Sequence, residues 1–219
     1  VDVKFLKPEQ VKEIWPLCNI EGLIGAIQHP EDGYIQPADL TQALATGARN
    51  RGAEIYRNTT VVGMKQIKNG WVVETDKGSI ECEHVVSCSG NFARQTGKMV
   101  GLEIPVIPVE HQYIVTEPHP EILKRKKEGL PEMGVLRDSD SRWYLREEAG
   151  GLILGPYEDG APCCYVDGPT KDSEYELFQE DLERLAPHIE GAIHRVPAFG
   201  EVGVKKVYNG AICYTPDGN

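Results

Sequence analysis

Between residues 60 and 82 the chain reads TVVGMKQIKNGWVVETDKGSIEC, and Asn69-Gly70 stands between two apolar-rich runs, Thr60–Gln66 and Trp71–Thr75. Asn-Gly readily takes the positive-φ backbone of a two-residue hairpin turn, so the pair predicts an antiparallel hairpin. Lys77-Gly78 marks a second turn shortly after. Reversals this tight exclude parallel pairing, which needs a crossover of a dozen or more residues. The second half repeats the theme. PVEHQYIVTEP, GVLRDSD, SRWYLREE and GGLILGPYE are strand candidates joined by polar or Gly-rich turns, and FGEVGVKKVYNG and AICYTPDGN read as two closing strands. Glu54–Tyr56 is a shorter candidate.

Helices punctuate these strands. KPEQVKEIWPL reads as a short helix ended by Pro16. A longer one follows Asp32-Gly33, with Pro37 near its first turn and Gly52 just past its end. Leu40, Ala43, Leu44 and Ala48 keep helical spacing, which predicts one buried face. DSEYELFQEDLERLAPH predicts another helix, with Ser173 and Glu176 as a capping box and Phe178, Leu182 and Leu185 as its buried stripe. In HVVSCSGNFARQTGKMVG a buried strand is expected to run into Ser89-Gly90 and then into a helix capped by Asn91. Such a turn lets backbone approach a ligand closely, although many proteins carry one with nothing bound.

The balance of 23 Lys+Arg against 34 Asp+Glu gives a formal charge of −11 and argues against nucleic acid. The basic run Lys124–Lys127 is flanked by Glu121 and Glu128 and reads as a solvated helix face. No apolar run approaches the roughly 20 residues of a membrane helix, and VDVKFLKPEQ lacks a signal-peptide core. A cytoplasmic location, or an organellar one, is therefore expected. Six cysteines stand without a CxxC pair. Cys82, His84 and Cys88 in an extended chain would spread over some 20 Å, too far to share a metal, so no metal site is expected. There is no GxGxxG, P-loop, GxSxG or HExxH. The residues alone indicate a soluble α/β or α+β domain.

Two strands carry polar chemistry. In IPVEHQYIVTEPHP, Val109, His111, Tyr113 and Val115 share one face, and Glu110, Gln112, Ile114 and Thr116 the other. A lone histidine in such a strand is most often a satisfied core or surface residue. In RWYLREE, Tyr144 and Arg146 share a face while Trp143 and Leu145 point the opposite way.

The stretches DGYIQPADLTQALATGARNRGAEI, TTVVGM, HVVSCSGNFARQTGKMVGLEIPVIPVEHQYIVT, VLRDSDSRWYLREE, LILGPYE and NGAICYTPDG together resemble the flavin-dependent dimethylglycine and sarcosine dehydrogenases, a branch of the D-amino-acid-oxidase-like flavoproteins. The resemblance runs in the family's order from about Leu23 onward. It implies an α+β fold: a mixed, largely antiparallel substrate-domain sheet with helices, plus part of an incomplete FAD-binding α/β domain. Residues 1–93 would be shared between the two domains, 94–209 would form the substrate domain, and 210–219 would return to the FAD domain. The family's Rossmann start is missing here, so the chain reads as an internal fragment.

By the same resemblance, Val61 matches a position whose backbone meets the FAD adenine, and Ser89, Gly90 and Phe92 match the turn beside the flavin. Phe92 stands where relatives often carry Trp. His111 and Tyr144 match two polar residues that face substrate, as catalytic and binding groups. Arg146 is a carboxylate-anchor candidate, with a structural ion pair as the alternative. The implied activity is oxidative demethylation of dimethylglycine or sarcosine with FAD, with tetrahydrofolate entering through a domain outside this chain. Oxygen or an electron-transfer protein would reoxidise the flavin, and in a eukaryote the mitochondrial matrix would house it. The rival readings are an inactive module and an oxidase for another secondary amine or a D-amino acid. Helix 38–51 and strand 85–88 would lack packing partners, so the chain is expected to self-associate.

Overall fold

The structure is a computed structural model that describes residues 2–170, 173–174 and 176–218. The first half runs β1 (Lys4–Leu6), α1 (Pro8–Ile14), β2 (Ala26–Gln28), α2 (Pro37–Arg49), β3 (Val61–Ile67), β4 (Gly70–Thr75), β5 (Gly78–Cys82) and α3 (Ala93–Lys98). The second runs β6 (Ile107–Thr116), α4 (Pro120–Lys127), β7 (Leu136–Asp138), β8 (Trp143–Glu148), β9 (Gly151–Pro156), α5 (Leu182–Arg195) and β10 (Val204–Tyr214). The fold is mixed, with antiparallel pairing in all three sheets. Two compact units divide the chain.

The first unit comprises Val1–Tyr34, Val109–Pro162 and Glu174–Ala211. Its centre is a five-stranded sheet in the order β10-β6-β9-β8-β7. Glu148 pairs with Gly151, so Ala149 and Gly150 alone make the β8–β9 turn, at φ of 50° and 87°. Two positive-φ residues are what a type I′ hairpin requires. One sheet face packs on the core: Ile114 pairs with Leu154 and Leu145 with Leu154, and all three are fully buried. Val11 and Trp15 of α1 and Leu185 and Ala192 of α5 belong to the same core. The Trp15 indole N–H donates to the Gly134 carbonyl at 2.7 Å, which satisfies its one polar atom.

Two expectations fail in this unit. Helix α5 starts at Leu182, not at Ser173; its cap is Asp181, whose Oδ1 accepts from the Arg184 N–H. Main-chain groups upstream are claimed elsewhere: Phe178 N–H donates to Asn209 O, and Gln179 O accepts from Asn209 Nδ2. Leu185 is buried as expected, but Leu182 is 55% exposed. Asp172 and Tyr175, inside the predicted helix, lie outside the described residues. The two closing strands are also one, since β10 passes unbroken through Asn209-Gly210.

The second unit comprises Ile35–Pro108, Cys163–Ser173 and Ile212–Asn219. Here β3, β4 and β5 form the antiparallel sheet that the two turn signals predict. Ile67 pairs with Gly70, so the first loop is Lys68–Asn69, and Gly70 already belongs to the strand. A Cβ on Gly70 would sit 2.2 Å from the Cys82 carbonyl oxygen, so close approach of β5 demands glycine there. Helix α2 begins at Pro37 and ends before Gly52 (φ 89°), as read from the sequence. Its apolar face, however, is not buried: Leu40 and Leu44 are both exposed.

Residues 83–88 are not a strand, and Val86 is 83% exposed. A strand apolar on both faces needs covering layers and paired neighbours, and among the described residues no strand pairs with it. Nor is Asn91 a helix cap: Gly90–Phe92 forms a single 3₁₀ turn leading into α3, without a side-chain cap. Residues 54–56 form no strand.

Candidate functional site

The face of the five-stranded sheet opposite the core carries the polar chemistry. On β6, Gln112, Ile114 and Thr116 are buried while His111, Tyr113 and Val115 are half-buried. On β8, Trp143, Leu145 and Glu147 are buried while Tyr144, Arg146 and Glu148 are half-buried. Register joins the two sets, because Val115 pairs with Ile153 and Ile153 with Arg146. His111, Tyr113, Tyr144 and Arg146 therefore stand on one face.

Tyr144 lies directly over the sheet. Its cross-strand partner is Gly155, where a Cβ would fall 2.1 Å from the Tyr144 Cζ. The ring thus occupies the space a side chain at 155 would need. Tyr157 meets the Tyr144 ring at 6.2 Å in a tilted pair, and the Arg137 guanidinium lies 6.0 Å from the Tyr157 ring centroid. Across the face, Tyr113 stacks on Tyr208 of β10 with centroids 4.7 Å apart. Lys206 covers the Tyr208 ring at 4.4 Å. The result is an aromatic wall around the His111 strand.

Protonation follows from this setting. Burial pushes the His111 imidazole below its ordinary range; Glu158 opposes that shift and Arg184 adds to it. At neutral pH the ring is neutral, with a lone pair on one nitrogen. Burial likewise raises the Tyr144 and Tyr113 hydroxyls, so both remain donors.

Arg146 is already engaged. Its Nη1 pairs with Glu148 Oε2 at 2.5 Å and donates to the Glu147 carbonyl at 3.0 Å. Its guanidinium lies 4.4 Å from the centroid of the Tyr34 ring, and the Tyr34 hydroxyl donates to Glu132 at 2.7 Å. These contacts are those of a structural ion pair with a cation–π cover. Tyr34, Tyr157, Tyr208 and Gly155 were not found from the sequence. Alternation along one strand says which residues share a face, but not which distant segment lies over them.

Behind β6 sits a polar cluster that strand alternation also does not reveal. Glu158, its side chain 1% exposed, accepts from Arg184 Nε at 2.6 Å and from Gln112 Nε2 at 3.0 Å. Gln112 Oε1 in turn accepts from the Asp181 N–H at 2.8 Å. Glu110 accepts from Asn209 Nδ2 at 2.8 Å and pairs with Arg184 at 3.4 Å.

Val61, Ser89, Gly90 and Phe92 all lie in the second unit. Val61 opens β3 and is 38% exposed, and Phe92 is exposed as well. Gly90 takes φ 53° with no atom within 4 Å of a would-be Cβ, and the Ser89 hydroxyl lies 2.5 Å from that of Ser87. Open backbone beside exposed Val85, Val86 and Phe92 suits the apolar and ring portions of a flavin nucleotide. These residues supply no glycine-rich loop for its pyrophosphate. Among the described residues no group of three His, Cys, Asp or Glu is arranged to hold a metal ion.

The chain is 40% identical over 97% of its length to dimethylglycine dehydrogenase, mitochondrial, from Homo sapiens, covering 25% of that protein. It is 34% identical over 99% of its length to sarcosine dehydrogenase, mitochondrial, from the same organism, covering 23%. The chain thus spans about a quarter of the length of these curated relatives. The solved L-proline dehydrogenase from P. horikoshii matches with a TM-score of 0.80 at 28% identity, over 98% of this chain and 54% of that one. Residues 1–219 match the family described as FAD dependent oxidoreductase, and the chain belongs to that family.

Proposed function

We propose that this chain carries the substrate-facing residues of an FAD-dependent amine dehydrogenase whose substrate is dimethylglycine or sarcosine. The observation that carries this reading is the shared face of a neutral, half-buried His111 and a protonated Tyr144, in a chain 40% identical to a dimethylglycine dehydrogenase. When bound, FAD supplies the acceptor for the hydride leaving the N-methyl carbon. Oxidation requires the amine lone pair, so the ammonium proton must go. His111, kept neutral by burial, accepts it at its free ring nitrogen. Tyr144, its ring seated over Gly155, donates a hydrogen bond from its hydroxyl to the substrate carboxylate and keeps its proton. The aromatic wall excludes water and accommodates the methyl groups.

Arg146 keeps the face in place through Glu148 and Tyr34 rather than gripping substrate. Val61, through its backbone, and Ser89, Gly90 and Phe92 would hold the flavin nucleotide. Among the described residues no helix is long and apolar enough to cross a membrane. The mitochondrial names of the relatives support a matrix location in a eukaryote.

The test is anaerobic. The FAD-loaded enzyme is mixed with dimethylglycine, then with sarcosine, and the visible band of the oxidised flavin is followed. Bleaching by one compound identifies the substrate, and His111→Gln should slow it by at least about 100-fold, the lower range for a general base. A bound flavin that neither compound reduces would overturn the substrate assignment.

A further inference from the structure

The ladder between β6 and β9 pairs Ile114 with Leu154 and Val115 with Ile153. Nearer to His111 the main chain is held differently. The Gln112 N–H donates to the Glu158 carboxylate at 2.8 Å, and the Glu110 N–H donates to the Pro162 carbonyl at 2.9 Å. Both neighbours of His111 are thus anchored by groups beyond the end of β9. One of those groups is a charged side chain, almost completely buried and fixed by Arg184 from α5.

A buried ion pair is a weak way to stabilise a fold, since a well-packed apolar pair of the same volume often does as well or better. This one adjoins the single strand that carries the candidate base. We propose that Glu158 and Arg184 are positioning residues for His111, a pair of opposite charges seated behind β6 that fixes the imidazole's place and its charge state. The proposal rests on the reading that His111 faces substrate.

By alternation the imidazole projects from the opposite side of β6 to Gln112, so the pair acts across the strand and not by direct contact. Other titratable groups stand on its own and neighbouring elements: Glu110 and Tyr113 on β6, Tyr144, Arg146 and Glu148 on β8, Asp181 at the start of α5, and Lys206 and Tyr208 on β10. Glu158 and Arg184 are the ones that bear on the imidazole's charge, and in opposite senses. The carboxylate favours the imidazolium and the guanidinium disfavours it. Burial is the larger influence and favours the neutral ring, while Glu158 opposes that effect and Arg184 adds to it.

The test reads His111 directly. The FAD-loaded enzyme is labelled with ¹³C-histidine, and the imidazole signal that disappears in His111→Gln is followed against pH. In Glu158→Gln its midpoint should move down, because the favourable negative charge is gone. In Arg184→Gln it should move up, whereas Arg184→Lys should leave it near the wild-type position. A purely structural role would move both glutamine variants the same way or neither, and either result overturns the proposal. If Glu158→Gln does not fold, the two Arg184 variants decide by themselves: equal midpoints reject the idea. Opposite shifts in an enzyme whose flavin bleaches equally well with His111→Gln would keep the coupling and remove the catalytic reading.

Discussion

Tyr144 owes its orientation to an absence. Gly155 leaves open the volume that the Tyr144 ring fills, with Cζ and the hydroxyl 2.1 and 2.4 Å from where a Cβ would be. Glycine in a strand costs stability by itself, and an aromatic cross-strand partner recovers part of it. Gly155→Ala should therefore lift the ring and destabilise the chain by about 1–3 kcal/mol, the usual cost of overpacking. Urea unfolding measures this, and Tyr144→Phe, which keeps the ring, should remain within about 1 kcal/mol of wild type. His111 makes a pH prediction of definite sign. Its folded-state pKa lies below the ordinary value near 6.5. Above that value neither folded nor unfolded chain carries the proton, and the residue adds no penalty. As pH falls through it the unfolded chain protonates first, so stability drops until the folded-state value is passed. His111→Gln should flatten this part of the curve in urea midpoints taken from about pH 7.5 to about pH 5. An unchanged slope would mean that the imidazole is no harder to protonate in the fold.

Among the elements, the β8–β9 turn is the clearest case of a tolerated mismatch. Ala149 sits at φ 50°, where an Asn is favoured. Ala149→Asn should raise stability by about 0.5–1 kcal/mol, read as a higher urea midpoint with unchanged m-value. The hairpin β3–β4, the ends of α2 and the alternation of β6 and β8 were all legible, because Asn69-Gly70, Pro37 with Gly52, and period-two burial act within a few residues. The start of α5 was not legible. Ser173 and Glu176 have the spacing of a capping box, yet Asn209, some thirty positions later, takes the hydrogen bonds that a helix at 178–179 would use. The segment 84–88 reads as a strand by composition but has no strand to pair with among the described residues. The candidate site divides along the same line. The shared face of Tyr144 and Arg146 follows from alternation. The Tyr208 stack, the Tyr34 cover and the Glu158 anchor depend on parts of the chain that only tertiary structure brings near.

At the scale of the whole molecule, apolar side chains are exposed in both units, at Phe5 (80% exposed) and Ile24 (98%) in the first and at Leu44 of α2 (65%) and Val86 (83%) in the second. A formal charge of −11 opposes contact between copies. The isolated chain should therefore associate with rising concentration, and more strongly once salt screens the repulsion. Sedimentation at low and high ionic strength tests this. Leu44→Glu combined with Val86→Glu should weaken that association; a monomer that persists at high salt without those changes would refute it.

The clasp around Arg146 draws on three separated stretches, with Tyr34, Glu132 and Arg146 meeting on one unit. A guanidinium 4.4 Å from the centre of an aromatic ring sits in the ring's magnetic shielding cone. The Arg146 side-chain protons should resonate upfield of every solvent-facing arginine, and the shift should vanish in Tyr34→Leu. The protein thus carries its own spectroscopic marker, reporting whether Tyr34 is seated over Arg146.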